Sequence, residues 1–357
     1  MGRWASLGID LGGTKVLAAL FDERLRLIDS TLHRSDPDKG LRRFTLKLEE
    51  SVSRLLGRAR REGLEVRAVG AGCAGFVDPD SGVLSSCPNI PFIRDYPIAR
   101  HLTRLARCPV LVGNDAQLGL YGEYKLGAAV GCRNVVGLFM GTGIGGGVII
   151  DGTLYKGASG LAGEIGHYLL DALGPLSGSD RHGLLDDIAS RHAIAAQAAA
   201  MAAKQWAPHL FREAGTNLLD IRADVLARAI RRGDSKIEEL VRSRASIVGL
   251  VLANLVNFLS PEMVVLGGGM IKALGDIIVP EAERTMRRHA LPPIARSVRV
   301  VAARLGDLAV AMGAAKWALD APTGPPGHRN RTQRLHLRHG RGRRGLSRMR
   351  PGGTPLL

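Results

Sequence analysis

One short segment near the start of the chain, DLGGTK, contains residue types that bind phosphate. It places an acid, Asp10, and a cation, Lys15, around two glycines and a threonine. Glycine lets the backbone approach a phosphate closely and aim its N–H groups at it. Asp10 is a candidate to hold Mg²⁺ through water, and an ordinary hairpin turn is the alternative interpretation of the segment. The candidate phosphate-binding residues are Gly12, Gly13, Thr14 and Lys15.

Two further glycine segments extend this pattern. Gly141, Gly143 and Gly146 fit the GxGxxG spacing, but the residues that follow predict a strand and a hairpin. A dinucleotide fingerprint needs a helix directly after it, so the segment disfavours a Rossmann dehydrogenase. The third segment, VVLGGGM, lies between a predicted strand and a predicted helix. An adenosine could contact the backbone there, because glycines carry no side chain. The segments predict one nucleotide held between two lobes, and they add as candidate contacts Gly141, Thr142, Gly143, Gly268 and Gly269.

Hydrophobic patterning predicts the elements that position these segments. Residues 4–10 and 16–21 and the segment LRLIDSTLHR read as three strands, and an i, i+3, i+4 pattern ending at Gly63 reads as a helix. A similar strand, glycine turn and strand begins again about 129 residues later. That spacing is too long for a solenoid repeat and indicates two related domains.

Composition and charge bound the remaining possibilities. The chain has 357 residues and a net charge of +16, but nine arginines lie in residues 321–357, which leaves +7 for residues 1–320. This tail has few large apolar residues, so it is predicted to be disordered. A solvated basic extension is favoured there over an arm that binds RNA or another polyanion. The four cysteines form no CxxC pair, and the chain shows no signal peptide or membrane span, which predicts a cytoplasmic protein.

Four segments in this order resemble the ROK family of sugar kinases and repressors: GIDLGGTK, VGNDAQLGLYGE, GTGIGGGVIIDGTLYKGASGLAGEIGH and VVLGGGM. The resemblance covers about residues 5–320. It implies an α/β, two-lobed actin/hexokinase-like (ribonuclease H-like) fold with mixed sheets flanked by helices. The implied lobes are residues 1–116, completed by a closing helix at 307–320, and residues 117–306. The family uses ATP and Mg²⁺ to phosphorylate sugars and forms dimers or tetramers, so a homo-oligomer is expected.

The resemblance also implies roles for individual residues. Asp115 corresponds to the general base that takes the proton of the attacking hydroxyl, and a polar helix cap is the alternative role for an isolated Asn-Asp pair. The positions that correspond to sugar contacts are Gly75, Asn89, Asn114, Asp115, Glu164, His167 and Asp186.

The segment after His167 departs from the family pattern. Most ROK kinases bind a structural zinc there with three cysteines and this histidine, whereas this chain has Ser177, Ser179 and Leu184 at the cysteine positions. Hydroxyls are poor zinc ligands and leucine is none, so no zinc site is expected. Reassembly of His167, His182 and nearby aspartates into another metal site is the disfavoured alternative.

Asp186 stands where the family has a glutamate that touches the sugar, with Asp187 as an alternative occupant of that position. The leading hypothesis is an ATP-dependent glucokinase that converts glucose to glucose 6-phosphate. Other hypotheses are a kinase for fructose or N-acetylmannosamine, a kinase that uses polyphosphate, and a sugar-binding regulatory or nucleic-acid-associated protein with little turnover.

Overall fold

The computed structural model describes residues 2–35, 39–88, 90–170 and 183–321. The first part of the chain contains β1 (Trp4–Leu11), β2 (Lys15–Asp22), β3 (Leu27–Arg34), α1 (Gly40–Arg61), β4 (Glu65–Cys73), β5 (Phe76–Val77), β6 (Leu84–Ser86), β7 (Arg94–Tyr96), α2 (Ile98–Ala106), β8 (Val110–Asn114) and α3 (Asp115–Leu126). The second part contains β9 (Val135–Met140), β10 (Ile144–Ile150), β11 (Thr153–Leu154), α4 (Leu185–Ala189), α5 (Arg191–Ala203), α6 (Pro208–Ala214), α7 (Ala223–Arg231), α8 (Ser235–Leu259), β12 (Met263–Gly267), α9 (Gly269–His289), α10 (Pro292–Ser297), β13 (Arg299–Ala302) and α11 (Ala309–Asp320).

Two five-stranded mixed sheets share one topology. The first has the order β3-β2-β1-β4-β8, with β2 antiparallel to both of its neighbours and β1, β4 and β8 parallel. The second has the order β11-β10-β9-β12-β13 with the same pattern of directions. The predicted duplication is therefore confirmed, as is the α/β fold with mixed sheets flanked by helices.

Helix α1 shows how the sequence pattern produces this packing. Its buried residues include Phe44, Leu48, Val52, Leu55 and Ala59, which recur at helical spacing along one face. That face packs on β2 and β3 of the first sheet. The helix ends at Arg61, and Gly63 follows with a φ of +66°, a conformation that favours glycine.

Helices α3 and α11 form the layer between the two sheets. α11 packs against β1, β2, β4 and β8 of the first sheet. α3 packs against β9 and β10 of the second sheet and also contacts β4 and β8, and the two helices pack on each other. Their backbones approach closely: a Cβ added to Gly313 of α11 would lie 1.8 Å from the carbonyl oxygen of Leu118 in α3. A Cβ on Gly8 of β1 would lie 1.9 Å from the carbonyl oxygen of Ala311.

The predicted domain division is consistent with this layer but stays a prediction. Helix α11, which follows the second sheet in the chain, packs on the first sheet. The residues up to Ala321 form one compact unit. The arginine-rich tail, except for Ala321, lies outside the described residues.

A small three-stranded sheet, β5-β6-β7, was not predicted. Its strands have two or three residues each, too few for an alternating pattern to be recognised. None of the described helices is long and apolar enough to cross a membrane.

The contact between α3 and α11 can be tested with Gly313→Ala. The added methyl group would collide with a carbonyl oxygen of the neighbouring helix, so we expect the free energy of unfolding in urea to fall by about 2–3 kcal/mol. Gly57→Ala is the matched control. Gly57 also lies inside a helix, but the nearest atom to an added Cβ is the end of the Arg61 side chain at 3.6 Å. Its substitution should raise the free energy of unfolding by about 0.5–1 kcal/mol. Equal stabilisation by both substitutions would contradict this packing.

Candidate active site

Asp10 lies at the end of β1, where the chain turns into the first glycine segment. Burial, followed by the negative charge of Asp115, raises the pKa of Asp10 to about 7, although Lys15 opposes the rise. The turn itself is well bonded: the Gly12 N–H donates to the Lys15 carbonyl at 3.0 Å. Ser35 supports it from outside, since its hydroxyl donates to the Gly12 carbonyl at 2.7 Å. The first loop is thus a hairpin stabilised by these hydrogen bonds, and it follows an acid whose pKa is raised.

Asp115 begins helix α3 directly after strand β8. The side chain of Asn114 caps this helix by accepting a hydrogen bond from the Gln117 N–H at 3.1 Å. Burial raises the pKa of Asp115 to about 6, and the charge of Glu164 contributes to the rise. The Ala116 N–H donates to the Asp115 carboxylate at 2.8 Å and acts in the opposite direction. The cap interpretation is therefore confirmed for Asn114, whereas the role of the half-buried Asp115 as a general base stays a prediction.

The segment that carries Glu164 is held in place by a residue that the sequence analysis missed. The buried side-chain amide of Gln117 donates to the carbonyls of Gly160 and Ala162 at 3.0 and 2.8 Å. Glu164 follows, and its carboxylate lies 3.8 Å from Nδ1 of His167. Burial raises the pKa of Glu164, His167 lowers it, and the charge of Asp186 raises it further. The predicted sugar-binding residues Glu164, His167 and Asp186 are therefore electrostatic neighbours.

Asp186 is attached to the second glycine loop. Its carboxylate accepts a hydrogen bond from the Ile144 N–H at 2.5 Å and lies against Gly143. Burial raises the pKa of Asp186 while this hydrogen bond lowers it. Within the loop, the Gly141 N–H donates to the Gly143 carbonyl at 2.8 Å. Asp186 consequently joins the expected sugar side of the site to the expected phosphate side.

The third glycine segment meets the other two. The backbone at Gly268 packs on Met140, the residue before the second loop. Lys272, in the first turns of α9, donates to Asp307 at 2.6 Å, and Lys15 of the first loop pairs with the same carboxylate at 3.5 Å. These bonds bring the three glycine segments to one region.

The loop that presents Asp307 is anchored by Glu123 of α3. This fully buried carboxylate accepts hydrogen bonds from the backbone N–H groups of Arg304 and Leu305 at 2.9 and 2.8 Å. The hydrogen bond from Lys272 is the leading cause that lowers the pKa of Asp307; burial opposes it, and the positive charges of Lys15 and Lys272 lower the pKa further. The helix that begins with Asp115 therefore also positions the carboxylate between the two lysines.

One predicted residue, Gly75, is packed tightly against neighbouring backbone, and others lie outside the described ranges. Gly75 is buried between β4 and β5, with its Cβ position against the carbonyl of Ser86. Asn89, Ser177 and Ser179 lie outside the described residues. Within the described ranges, no group of three His, Cys, Asp or Glu side chains could hold a metal ion. Because residues 171–182 are not among them, the expected lack of zinc stays a prediction.

The missed residues carried signals of different strength. Asp307 follows the last strand of the second sheet, as Asp115 follows the last strand of the first, so the duplication could have pointed to it. Gln117 is a polar residue in an otherwise apolar helix segment, which is a weak sign of a buried hydrogen-bonding role. Lys272 had no distinguishing signal, because a lysine in the first turns of a helix is normally a solvated side chain.

Comparisons with known proteins agree with this arrangement. The model of the ROK family matches residues 6–321. Glucokinase from Streptomyces coelicolor is 31% identical over 316 residues, which is 88% of this chain and 97% of that protein. N-acetylmannosamine kinase from Salmonella arizonae is 32% identical over 271 residues, covering 76% and 84% of the two chains. The crystal structure of a ROK family glucokinase from Streptomyces griseus in complex with glucose and AMPPNP aligns with a TM-score of 0.77 and 31% identity, covering 89% of this chain and 100% of that one.

The raised pKa of the half-buried Asp115 predicts a pH-dependent stability. Because the folded pKa is raised from 3.8 to about 6, the folded state holds a proton that the unfolded state releases. Stability should therefore fall as the pH rises between these two values. A shift of this size corresponds to at most ~3 kcal/mol. Asp115→Asn should remove this loss and raise the free energy of unfolding at pH 8, with a smaller gain at pH 5.

Urea unfolding at the two pH values measures this difference. The exposed residue Asp276 of α9 supplies the control, and Asp276→Asn should give no gain that depends on pH in this range. A loss of stability in Asp115→Asn that is the same at pH 5 and pH 8 would show that Asp115 is not strained by burial.

Proposed function

Since this chain belongs to the ROK family, we propose that it transfers the γ-phosphoryl group of ATP to a hydroxyl of a hexose. Glucose is the first candidate acceptor, which would make glucose 6-phosphate the product. The observation that carries the proposal is Asp115, a half-buried carboxylate at the start of α3 whose pKa is raised to about 6. A general base works best when its pKa lies near the working pH.

The three glycine segments support the nucleotide part of the proposal. They meet through Gly268 on Met140 and through the contacts of Asp307 with Lys15 and Lys272. Backbone N–H groups and ammonium groups are suited to a chain of phosphates. AMPPNP, an ATP analogue, is bound in the related Streptomyces griseus enzyme. The other candidate contacts of these segments are proposed to surround the same phosphates and nucleoside: Gly12, Gly13, Thr14, Gly141, Thr142, Gly143 and Gly269.

Asp10 fits the role of a Mg²⁺ ligand. Its pKa of about 7 reflects burial and the nearby charge of Asp115, so two carboxylates share a region that favours an added cation. Mg²⁺ commonly uses one or two protein carboxylates and completes its shell with water and substrate phosphates. When bound, it would neutralise charge on the phosphates. Asp10 would hold it, directly or through water.

The chemical step then follows from positioning. Asp115 accepts the proton of the sugar hydroxyl as that oxygen forms a bond to the γ-phosphorus, and the bond from phosphorus to the leaving oxygen of ADP breaks. Little covalent help is needed, since positioning and charge neutralisation contribute most in phosphoryl transfer. We propose that residues 1–116 with 307–320 and residues 117–306 form two lobes. Their closure would exclude water and suppress ATP hydrolysis.

The sugar is proposed to contact Glu164, His167 and Asp186, whose charges already influence one another. Asn114, Gly75 and Asn89 complete the proposed set. Glucose is supported by the glucokinase relatives. N-acetylmannosamine is supported by the relative that phosphorylates that sugar. Polyphosphate remains a second candidate donor, because an inorganic polyphosphate/ATP-glucomannokinase from Arthrobacter shares the fold at a TM-score of 0.53.

A panel of sugars assayed with ATP and with polyphosphate tests the proposed function. We expect turnover of glucose with ATP, and a loss of about 10²–10⁴-fold in kcat for Asp115→Asn because the general base is removed. Sugar binding, measured by calorimetry, should stay within a few-fold of the unsubstituted protein. Asp276→Asn is again the control and should keep the full rate. Equal rates for Asp115→Asn and the control would remove Asp115 from the mechanism.

The pH profile supplies an independent test. Asp115 accepts a proton only when it is ionised, and its pKa is about 6. The value of kcat/KM should therefore be level above this pH and fall about tenfold per pH unit below it. The residual activity of Asp115→Asn should lack this decline. A wild-type profile that is flat from pH 8 to pH 5 would argue against a base with this pKa.

A further inference from the structure

Arg191 is a cation beside the second glycine loop that neither the sequence analysis nor the family motifs assign. It is the first residue of α5, a helix of 13 residues whose N-cap is Ser190. We propose that the guanidinium of Arg191 binds the phosphates of the donor, opposite the lysine of the first loop. This inference rests on the proposed function and adds a residue that determines affinity for the donor.

The position of Arg191 is fixed by three contacts with the second loop. Its backbone N–H donates to the Gly141 carbonyl at 3.1 Å, and the next N–H, of His192, donates to the Thr142 carbonyl at 3.3 Å. The guanidinium Nη2 donates to the Thr142 hydroxyl at 3.3 Å. The charged group therefore lies beside the most exposed residue of the loop.

The two backbone bonds already attach the start of α5 to the loop. The side chain is thus not needed to dock the helix. Its remaining donors are available in principle to a second acceptor, because a guanidinium carries five N–H groups and Thr142 accepts from one nitrogen.

Within the part of the chain that the structure describes, Arg191 lacks the charge compensation that several other arginines have. Arg228, for example, pairs with Glu213 at 2.5 Å and with Asp224 at 2.9 Å. Arg191 is half-buried, and no carboxylate of the described residues lies within ion-pair distance of it. Burial lowers the pKa of Arg191.

A partly desolvated cation that meets only a neutral hydroxyl is poorly compensated. A phosphate would supply the missing charge, and the planar guanidinium matches two phosphate oxygens at once. The neighbouring acid, Asp186, does not replace it, since its carboxylate is directed to the Ile144 N–H. The chemical class that fits is a chain of phosphates, either a nucleoside triphosphate or an inorganic polyphosphate.

Binding of inorganic tripolyphosphate to the full chain, measured by calorimetry, tests this inference. Arg191→Gln should bind the probe at least ten times more weakly than the unsubstituted protein. Arg191→Lys, which keeps the charge but loses the planar fork, should lie between them. Arg296→Gln is the matched control, because it removes an exposed arginine of α10 whose Nε donates only to the Pro292 carbonyl. Raising the salt concentration should weaken tripolyphosphate binding to Arg296→Gln more than to Arg191→Gln, because Arg296→Gln keeps the charge of Arg191 that salt screens.

Steady-state kinetics extend the test to the donors. Arg191→Gln should raise the KM for ATP at least tenfold and leave the KM for the sugar unchanged. The same assay with polyphosphate as the donor shows which of the two donors depends on Arg191. Thermal unfolding checks that the variants are folded, and Arg191→Lys decides the question if Arg191→Gln does not fold. Equal tripolyphosphate affinities for Arg191→Gln and Arg296→Gln would overturn the inference.

The two proposals fail separately. If the unsubstituted protein binds tripolyphosphate in an Arg191-dependent way but phosphorylates no sugar, the proposed function is wrong and the phosphate site stands. If sugar is phosphorylated with the same KM for ATP in Arg191→Gln and Arg296→Gln, the kinase stands and the role of Arg191 is wrong.

Discussion

The close contact between α3 and α11 is the constraint on which the site depends. The two helices lie between the sheets, and Gly313 allows the backbone of α11 to reach the carbonyl of Leu118. One helix begins with Asp115, and the other follows the turn that contains Asp307. Glu123 of α3 then bonds to the backbone just before that turn. The positions of the candidate base and of Asp307, which the two lysines contact, are therefore set by the same layer.

The candidate site contains four acids whose charge is disfavoured by burial. Asp10, Asp115, Glu164 and Asp186 all have pKa values raised chiefly by burial. Such a cluster weakens the folded state at neutral pH, so packing alone gives no reason for it. Perturbed carboxylates of this kind are typical of sites that move protons or bind cations. Lys15 and Lys272 contact Asp307, and Arg191 lies beside the glycine loop that Asp186 also contacts. These positive charges are consistent with the proposed phosphate-bearing substrate.

The duplication explains how one fold supplies both halves of such a site. The strand, glycine turn and strand of the first sheet are repeated in the second, but the position of Asp10 is taken there by Phe139. One copy thus carries the acid that we propose as a Mg²⁺ ligand, and the other has a glycine loop that contacts Asp186 and Arg191. Likewise Asp115 and Asp307 follow equivalent strands, yet one is desolvated and the other is paired with two lysines. Equivalent backbone positions have become chemically different because their neighbours differ.

The local features of this protein were determined by the sequence itself. Apolar runs between glycine turns predicted the strands of both copies, the periodic face predicted helix α1, and the repeat after about 129 residues predicted two related domains. The mixed sheets were implied by the family resemblance. The Asn-Asp pair also predicted a polar end to its strand, because the hydrogen bonds that cap helices and form turns join residues close in the chain. The tertiary structure alone decided which distant groups meet: Gln117 with the carbonyls before Glu164, Asp307 with lysines of two loops, and Arg191 with Thr142. These contacts, and the burial that raises the pKa of Asp115, depend on the packing of whole sheets and helices, which no short stretch of residues encodes.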